Sequence, residues 1–383
     1  MSFVKTGAFR GLSSDSDDIK IDSSGNVAFT NNNIVNKNLI INGGMNVYQR
    51  ASSVSGILLG GYHLADRFEV DLNGAGGLTH EIVTDVPSGY GFSNAYKIHR
   101  SGPSDSLAPN PSTGNKNIFS QKIEGQNLQH LCKGTSNAKE LTLSFWAKFS
   151  TADLTFTVEL LDIDNNRQIS KALTSSTSWT KYTITFPADT TGAFDNDNNA
   201  SLQVNWWLFA GTDYTSGTLN ESAWAAVGTA NRVSSSNMYF NSVNSGNGNP
   251  NQFFITGVQL EIGGNASGFE FEPYETVLRK CHRYFVQDVF AYAGTMGGGS
   301  ANIPLSIIQF PVRMCQAPAV SWISGGTVSD GQYDSSISSQ NSTQNANPFS
   351  CRVLFNRNTS GTPSVVGRGC DIRGVTMKYD AEL

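Results

Sequence analysis

From Leu141 to Phe149, alternate positions carry Leu141, Leu143, Phe145, Ala147 and Phe149, while Thr142, Ser144, Trp146 and Lys148 fall between them. A period of two belongs to a strand with one buried face. The same alternation returns over residues 154–161, 179–186, 202–208 and 253–262, parted by loops rich in Asn, Asp and Gly (162–166 and 193–200). Short strands at this spacing predict an antiparallel two-sheet sandwich of the jelly-roll kind over residues 36–270.

On either side the pattern changes. Residues 1–35 read as an extended arm, in which Asp18-Ile19-Lys20-Ile21-Asp22 and Val27-Ala28-Phe29 flank a Ser-Ser-Gly-Asn turn as a small hairpin. Such a hairpin is too small to be stable alone. It calls for another copy of itself or a docking protein, or else it is a flexible terminus. Over residues 271–290 Val277, Leu278, Cys281, Phe285 and Val289 recur at helical spacing, which predicts one amphipathic linking helix. Residues 291–383 return to short alternating runs and predict a smaller C-terminal β domain, interrupted by a Ser/Gln/Asn-rich loop over 330–348. The expected fold class is therefore all-β.

Composition supports that class. The chain of 383 residues has 15% charged side chains, 38 Gly and 22 Phe, a turn-rich and aromatic balance suited to short strands. Its net charge of −5 offers no basic footprint for nucleic acid. The apolar run around 204–210 is too short to span a bilayer, so no membrane insertion is expected. Met1-Ser2-Phe3-Val4-Lys5 shows no secretory apolar core, and five cysteines without metal-type spacing suit reduced thiols made in a cytoplasm.

Three stretches resemble a family of bacteriophage tail-fibre and minor structural proteins with a carbohydrate-binding-module-like jelly roll. The first is Asn38-Leu39-Ile40-Ile41-Asn42-Gly43-Gly44-Met45-Asn46-Val47-Tyr48-Gln49-Arg50 with Ala65-Asp66-Arg67-Phe68. The second is Leu143-Ser144-Phe145-Trp146-Ala147-Lys148 with Trp179 and Tyr182-Thr183. The third runs from Gln252 to Gly264, then through Phe269-Glu270-Phe271-Glu272-Pro273-Tyr274-Glu275 to Cys281, Arg283, Tyr284 and Phe285. The ending Asp380-Ala381-Glu382-Leu383 is similar to a recurrent C-terminus of such proteins. The chain departs from the pattern at Tyr48 and Phe68, where Trp is usual, and at Gly44, where an acidic residue is common. The resemblance implies a homotrimeric virion appendage, a tail fibre docked to a tail or baseplate protein through residues 1–35 and contacting host-surface glycan. A capsid decoration or head fibre and a glycan-degrading tail spike are the alternatives.

Catalytic patterns are missing. His63, His80, His99, His130 and His282 are scattered, with no His-Glu-x-x-His, Cys-x-x-Cys or Gly-x-Ser-x-Gly arrangement, so no enzyme is expected. For glycan contact the candidates are Trp206, Trp207, Tyr214 and Trp224. Adjacent tryptophans on a strand face opposite ways, and an outward indole beside amides and carboxylates can carry a sugar. Packing beneath the following loop, or in a subunit interface, is the competing reading. Asp162 and Asp164, and likewise Asp195 and Asp197, open like calcium loops. The sixth and twelfth positions then hold Arg167 and Leu173, or Ala200 and Trp206, which removes the EF-hand. No cofactor is expected, with a structural Ca²⁺ in a jelly-roll loop as the open alternative.

Overall fold

The alternating runs become two antiparallel sheets whose apolar faces meet. One sheet runs, edge to edge, β13 (Thr180–Phe186), β10 (Leu141–Phe149), β16 (Gln252–Ile262), β8 (Ala95–Arg100), β7 (Leu78–Val83) and β4 (Ser53–Ile57). The other runs β15 (Ala225–Ala226), β12 (Arg167–Thr174), β11 (Thr155–Asp162), β14 (Ala200–Ala210), β9 (Lys116–Glu124), β6 (Glu69–Asn73) and β5 (Gly61–Tyr62). Phe145 and Phe149 from the first sheet meet Phe156, Phe119 and Trp206 from the second in one continuous core. The computed structural model describes residues 8–9, 19–21, 27–29, 37–74, 77–100, 112–237, 251–295, 302–304, 308–329, 334–358 and 368–383.

In the arm, β1 (Ala8–Phe9), β2 (Ile19–Ile21) and β3 (Val27–Phe29) pair antiparallel, with Ile19 opposite Phe29, so the expected hairpin pairing is present. Its turn lies outside the described residues. A helical turn, α1 (Thr212–Thr215), follows β14, and α2 (Tyr274–His282) follows β16. The C-terminal sheet runs β17 (Phe285–Thr295), β23 (Gly369–Asp380), β20 (Ala319–Ser329), β21 (Asp334–Gln344), β22 (Ser350–Arg357) and β18 (Asn302–Pro304), with β19 (Ile308–Gln309) also on β22.

Two elements differ from expectation. The helix stops at His282, and Phe285 and Val289 belong to β17 instead. Tyr284 O accepts Ala381 N–H at 2.7 Å and Phe285 lies opposite Asp380, so pairing with β23 takes the backbone that a longer helix would need. The polar run expected as a loop contains β21, an 11-residue strand paired to β22. Only Ile337 gives it a buried apolar side chain, and Gln340 bridges to β20 by accepting Trp322 N–H at 2.6 Å and donating to Val320 O at 3.2 Å. Main-chain pairing and amide bridges leave no apolar periodicity to read.

The sandwich and the C-terminal sheet are joined through a buried ionic seam. Residues 37–47 form an extended wedge along β16, where Asn38 Oδ1 accepts the Ile40 and Leu260 N–H groups and Leu39 N–H donates to Leu260 O. Gly43 is required there, because a Cβ would stand 2.0 Å from Val258 O. Asn42, at φ 62°, accepts the N–H groups of Asn46 and Val47 and donates to Val47 O and Asp66 O, holding the next two motifs together. Asp66 then accepts from Gln49 N–H, Gln49 Nε2 and Arg50 Nη1. Arg50 donates to Glu382 Oε1 at 3.1 Å, and Arg67 Nη1 donates to Glu382 Oε2. Arg67 lies 3.4 Å from the Tyr284 ring centroid and Arg50 3.5 Å from that of Phe285. Arg283 closes the other flank on Glu124, through Nε at 2.6 Å and Nη2 at 2.7 Å.

The side chains of Asp66, Arg67 and Glu382 are 0%, 1% and 4% exposed, so each charge depends on its partners. Glu382→Gln leaves buried Arg67 without its carboxylate while Arg50 keeps Asp66, and a loss of about 3–5 kcal/mol in denaturant unfolding is expected. Burial raises the Asp66 carboxyl from 3.8 to about 7, against the opposing pull of Arg50 and Gln49. Its folded pKa lies above the unfolded one, so its contribution is full below 3.8 and is lost as pH rises through about 7. Asp66→Asn should therefore gain stability relative to the parent between pH 5 and pH 8. A stability difference that stays constant across that range would show that Asp66 does not titrate there.

Candidate functional site

The seven-stranded sheet has its outer face covered. Residues 211–237 lie across it, with Arg232 paired to buried Glu159 at 2.8 Å and Trp207 Nε1 donating to the same carboxylate at 3.0 Å. Asn205 Nδ2 gives Glu159 a further bond at 2.8 Å. These groups explain how a carboxylate can be fully buried on the outer side of a sheet.

This cover decides the fate of the expected sugar-binding residues. Trp206 points into the inter-sheet core and Trp207 points outward, as strand geometry requires, but both are 0% exposed. Tyr214, 5.1 Å from Trp207 between ring centroids, belongs to the cover itself. Trp224 packs half-buried at the edge of the core and donates from Nε1 to Pro187 O at 2.8 Å. The four do not form one exposed surface. Trp206 and Trp207 cannot carry a sugar from these positions, because the chain's own loop occupies the space beside the outward indole.

The acidic loops do come together. Asp164 Oδ2 accepts Asp195 N–H at 2.9 Å, Asp162 pairs with Lys133 at 2.6 Å, and Asp197 caps Asn199 N–H at 2.9 Å. Lys133 already supplies the positive charge that a cation at Asp162 would bring. Among the described residues, no group of three or more His, Cys, Asp or Glu side chains is placed to hold a metal.

The six-stranded sheet is covered over one part only: Thr142, Gln259 and Glu261 on its outer side are buried beneath residues 263–270, and the rest of that side is more open. Its outward set includes Trp146 and Lys148 on β10, Phe254 on β16, Lys97 and His99 on β8 and Glu81 on β7, and none of these belongs to the core cluster. Tyr90, 56% exposed, rests against Trp146 with ring centroids 4.3 Å apart. Trp179 meets Phe254 at 6.2 Å, and Lys148 Nζ stands 4.5 Å from the Phe254 ring and 5.6 Å from Trp179. Toward the other end Phe92 packs on Gly257, where a Cβ would stand 2.5 Å from its ring, and continues to Phe271, 55% exposed. The result is an aromatic stripe along the sheet with charged groups beside it.

Those charges are fixed in place. Asp85 accepts from Lys148 Nζ, and Trp179 Nε1 donates to its Oδ1 at 3.0 Å. Glu81 accepts Lys97 Nζ at 2.8 Å and faces His99 Nε2 at 3.1 Å. The Lys97 hydrogen bond holds the Glu81 carboxyl below its usual range. Partial burial would raise Asp85, but the bonds from Lys148 and Trp179 outweigh it and leave it lowered. Both are ionised acceptors at neutral pH, suited to sugar hydroxyls. The sequence signal for this face was the outward half of the β10 alternation, Trp146 and Lys148.

Fold and face together define an antiparallel β-sandwich with one sheet covered by residues 211–237 and one partly open, aromatic-bearing sheet. No protein-family model matches the chain, and no curated protein matches it. Among solved structures it is similar to the enzymatically active domain of tailspike protein 4 of bacteriophage CBA120, at 14% identity and TM-score 0.32 over 59% of this chain and 22% of that one. It is also similar to TmCBM61 in complex with β-1,4-galactotriose, at 12% identity and TM-score 0.28 over 59% of this chain and 99% of that one. A family 11 carbohydrate-binding module from Clostridium thermocellum, in complex with a β-1,3-1,4-mixed-linked tetrasaccharide, gives 12% identity and TM-score 0.26 over 52% and 91%. The chain thus spans about a fifth of the tailspike domain. Likeness at these scores concerns strand arrangement and says nothing about ligand.

Exposure separates the tryptophans and can be read directly. Acrylamide should quench Trp146 and Trp179 and spare Trp206 and Trp207. Trp146→Phe should remove quenchable fluorescence that Trp207→Phe retains, and equal quenching losses from both would show that residues 211–237 do not cover Trp207.

Proposed function

We propose that the open face of the six-stranded sheet binds glycan, and that the chain is a virion appendage, a tail fibre, that contacts a host surface through it. The observation that carries the binding reading is the stripe from Trp179 through Trp146 and Tyr90 to Phe92 and Phe271, floored by buried Phe254, on the part of the six-stranded sheet that residues 263–270 leave open. Aromatic faces take the apolar faces of sugar rings, and the anchored Asp85, Glu81, Lys97 and Lys148 take hydroxyls in fixed directions. Binding without turnover is supported by the carboxylates themselves. A glycosidase needs an acid with a raised pKa beside a second carboxylate, and both Glu81 and Asp85 are lowered.

The appendage reading rests on the ordered motifs of the sequence and on β1–β3, which pair as a small unit in the arm. Three copies joined there would raise avidity over single-site affinity by about 10²–10⁴-fold, so weak individual sites would suffice. A glycan array with the full chain tests this, followed by calorimetry on the best-bound oligosaccharide. Trp146→Ala should weaken calorimetric binding about tenfold or more, with no reducing ends released. Binding unchanged in Trp146→Ala would overturn the site, release of reducing ends would establish the tail spike instead, and a monomeric mass on sedimentation would remove the trimer.

A further inference from the structure

Away from the open face, a cavity of about 360 Å³ lies where β9, the turns after it, α2 and residues 38–41 meet. Its apolar lining includes Leu39, Ile41 and the buried Ile123 and Tyr284, and its basic lining residues are Lys122, His130, Lys280 and Arg283, beside neutral amides. No Asp or Glu lines it among the described residues. Each cation is nonetheless fixed by a carboxylate outside the cavity wall. Glu69 holds Lys122 at 2.8 Å, Glu272 holds Lys280 at 2.5 Å, and Glu124 holds Arg283 at 2.6 Å.

Anchoring of this kind leaves donors to spare. An ammonium has three N–H groups, and Glu272 takes one of those on Lys280. Lys122 is spent differently: its ammonium leaves β9 on the side opposite Ile123 and donates to Glu69 and to Leu383 O at 2.9 Å. The cavity lining is thus part apolar and part basic, with the Lys280 ammonium already oriented by Glu272.

We infer that this cavity is a second binding site, for a monosaccharide-sized carboxylate, an acidic sugar. Its volume falls in the lower part of the range for small-molecule sites, roughly 300–1,000 Å³, and a bare inorganic anion would leave most of it and its apolar wall unused. A sugar acid matches both, its ring against the apolar lining at Leu39 and Ile41 and its carboxylate toward Lys280. Charge-assisted bonds from pre-oriented donors are about twice as strong as neutral ones, so a neutral sugar of the same size binds far more weakly. The site shares no residue with the open sheet face, and it stands or falls independently of the function proposed there.

Calorimetric or NMR titration of the full chain with glucuronate, glucose and inorganic phosphate tests it. Glucuronate should bind saturably at millimolar concentration, glucose and phosphate at least about tenfold more weakly, and salt should weaken the glucuronate titration. Lys280→Gln should lower glucuronate affinity about tenfold, while Trp146→Ala leaves it unchanged. His130→Glu, at an exposed wall position, should abolish binding without touching the seam, which keeps the test valid if Lys280→Gln unfolds. Equal binding of glucose or of phosphate, no glucuronate binding, or binding indifferent to His130→Glu would overturn the assignment.

Discussion

One carboxylate, that of Glu382, is shared by two buried guanidiniums, and the relation of the two β units depends on it. Arg50 and Arg67 approach it from the sandwich, and each lies over an aromatic ring from the first residues of the C-terminal unit. Arginine suits this position and lysine does not, because a planar guanidinium can lie on a ring and donate sideways at the same time. Buried ion pairs return little net stability, since desolvation offsets most of the attraction. What they return is geometry: a misplaced C-terminal sheet would strand the buried Arg67, a far larger loss than an imperfect apolar contact. The seam therefore specifies one arrangement. Asp66 belongs to the same unit, because it orients Gln49 and Arg50, and Gln49 in turn donates to Phe285 O at 2.9 Å.

With that end of the sandwich closed by the seam and the seven-stranded sheet covered by residues 211–237, the six-stranded sheet carries the open surface. The contrast between the two outer faces is chemical. Beneath the cover, Glu159 accepts from Arg232, Asn205 and the Trp207 indole in a buried network. On the open face the aromatics and charges are held by their neighbours yet still meet solvent, as at Tyr90 and Phe271. Orientation is supplied in advance, so a ligand meeting this face loses little entropy in ordering it.

Much of this was legible in the sequence, and the limits have physical causes. β10 matches its alternation residue for residue, because every second side chain enters the core. The motifs around Asn38, Asp66, Arg283 and Glu382 are recognisable because each residue has a specific partner, and those partners are largely one another. The end of α2 was not legible, since Phe285 and Val289 satisfy a helical period and a strand alternation alike. β21 was invisible because its pairing uses main chain and amides. The proposed binding face was half legible. Trp146 was plainly on the outward side of β10, and Trp207 was plainly outward on β14, but which outward face stays open is decided by residues 211–237. Their fold depends on Arg232 finding Glu159, 73 positions away. No local pattern encodes that distance.

The cationic cavity follows from the same long-range logic. Arg283 closes the seam on Glu124 through Nε and Nη2, and the groups that fix it are the reason it can face an anion without collapsing onto one. A lone arginine on a flexible surface would have to be ordered on binding, at an entropic cost comparable to a good hydrogen bond. Here that cost is met by folding, as it is for Lys122 between Glu69 and Leu383. A ligand in the cavity and the position of the C-terminal unit then share residues, so each favours the geometry in which the other is best held. The open face has no such link, since its stripe touches neither Glu382 nor Arg283. On the two proposals, the face would bind without altering the architecture, and an occupant of the cavity would reinforce it.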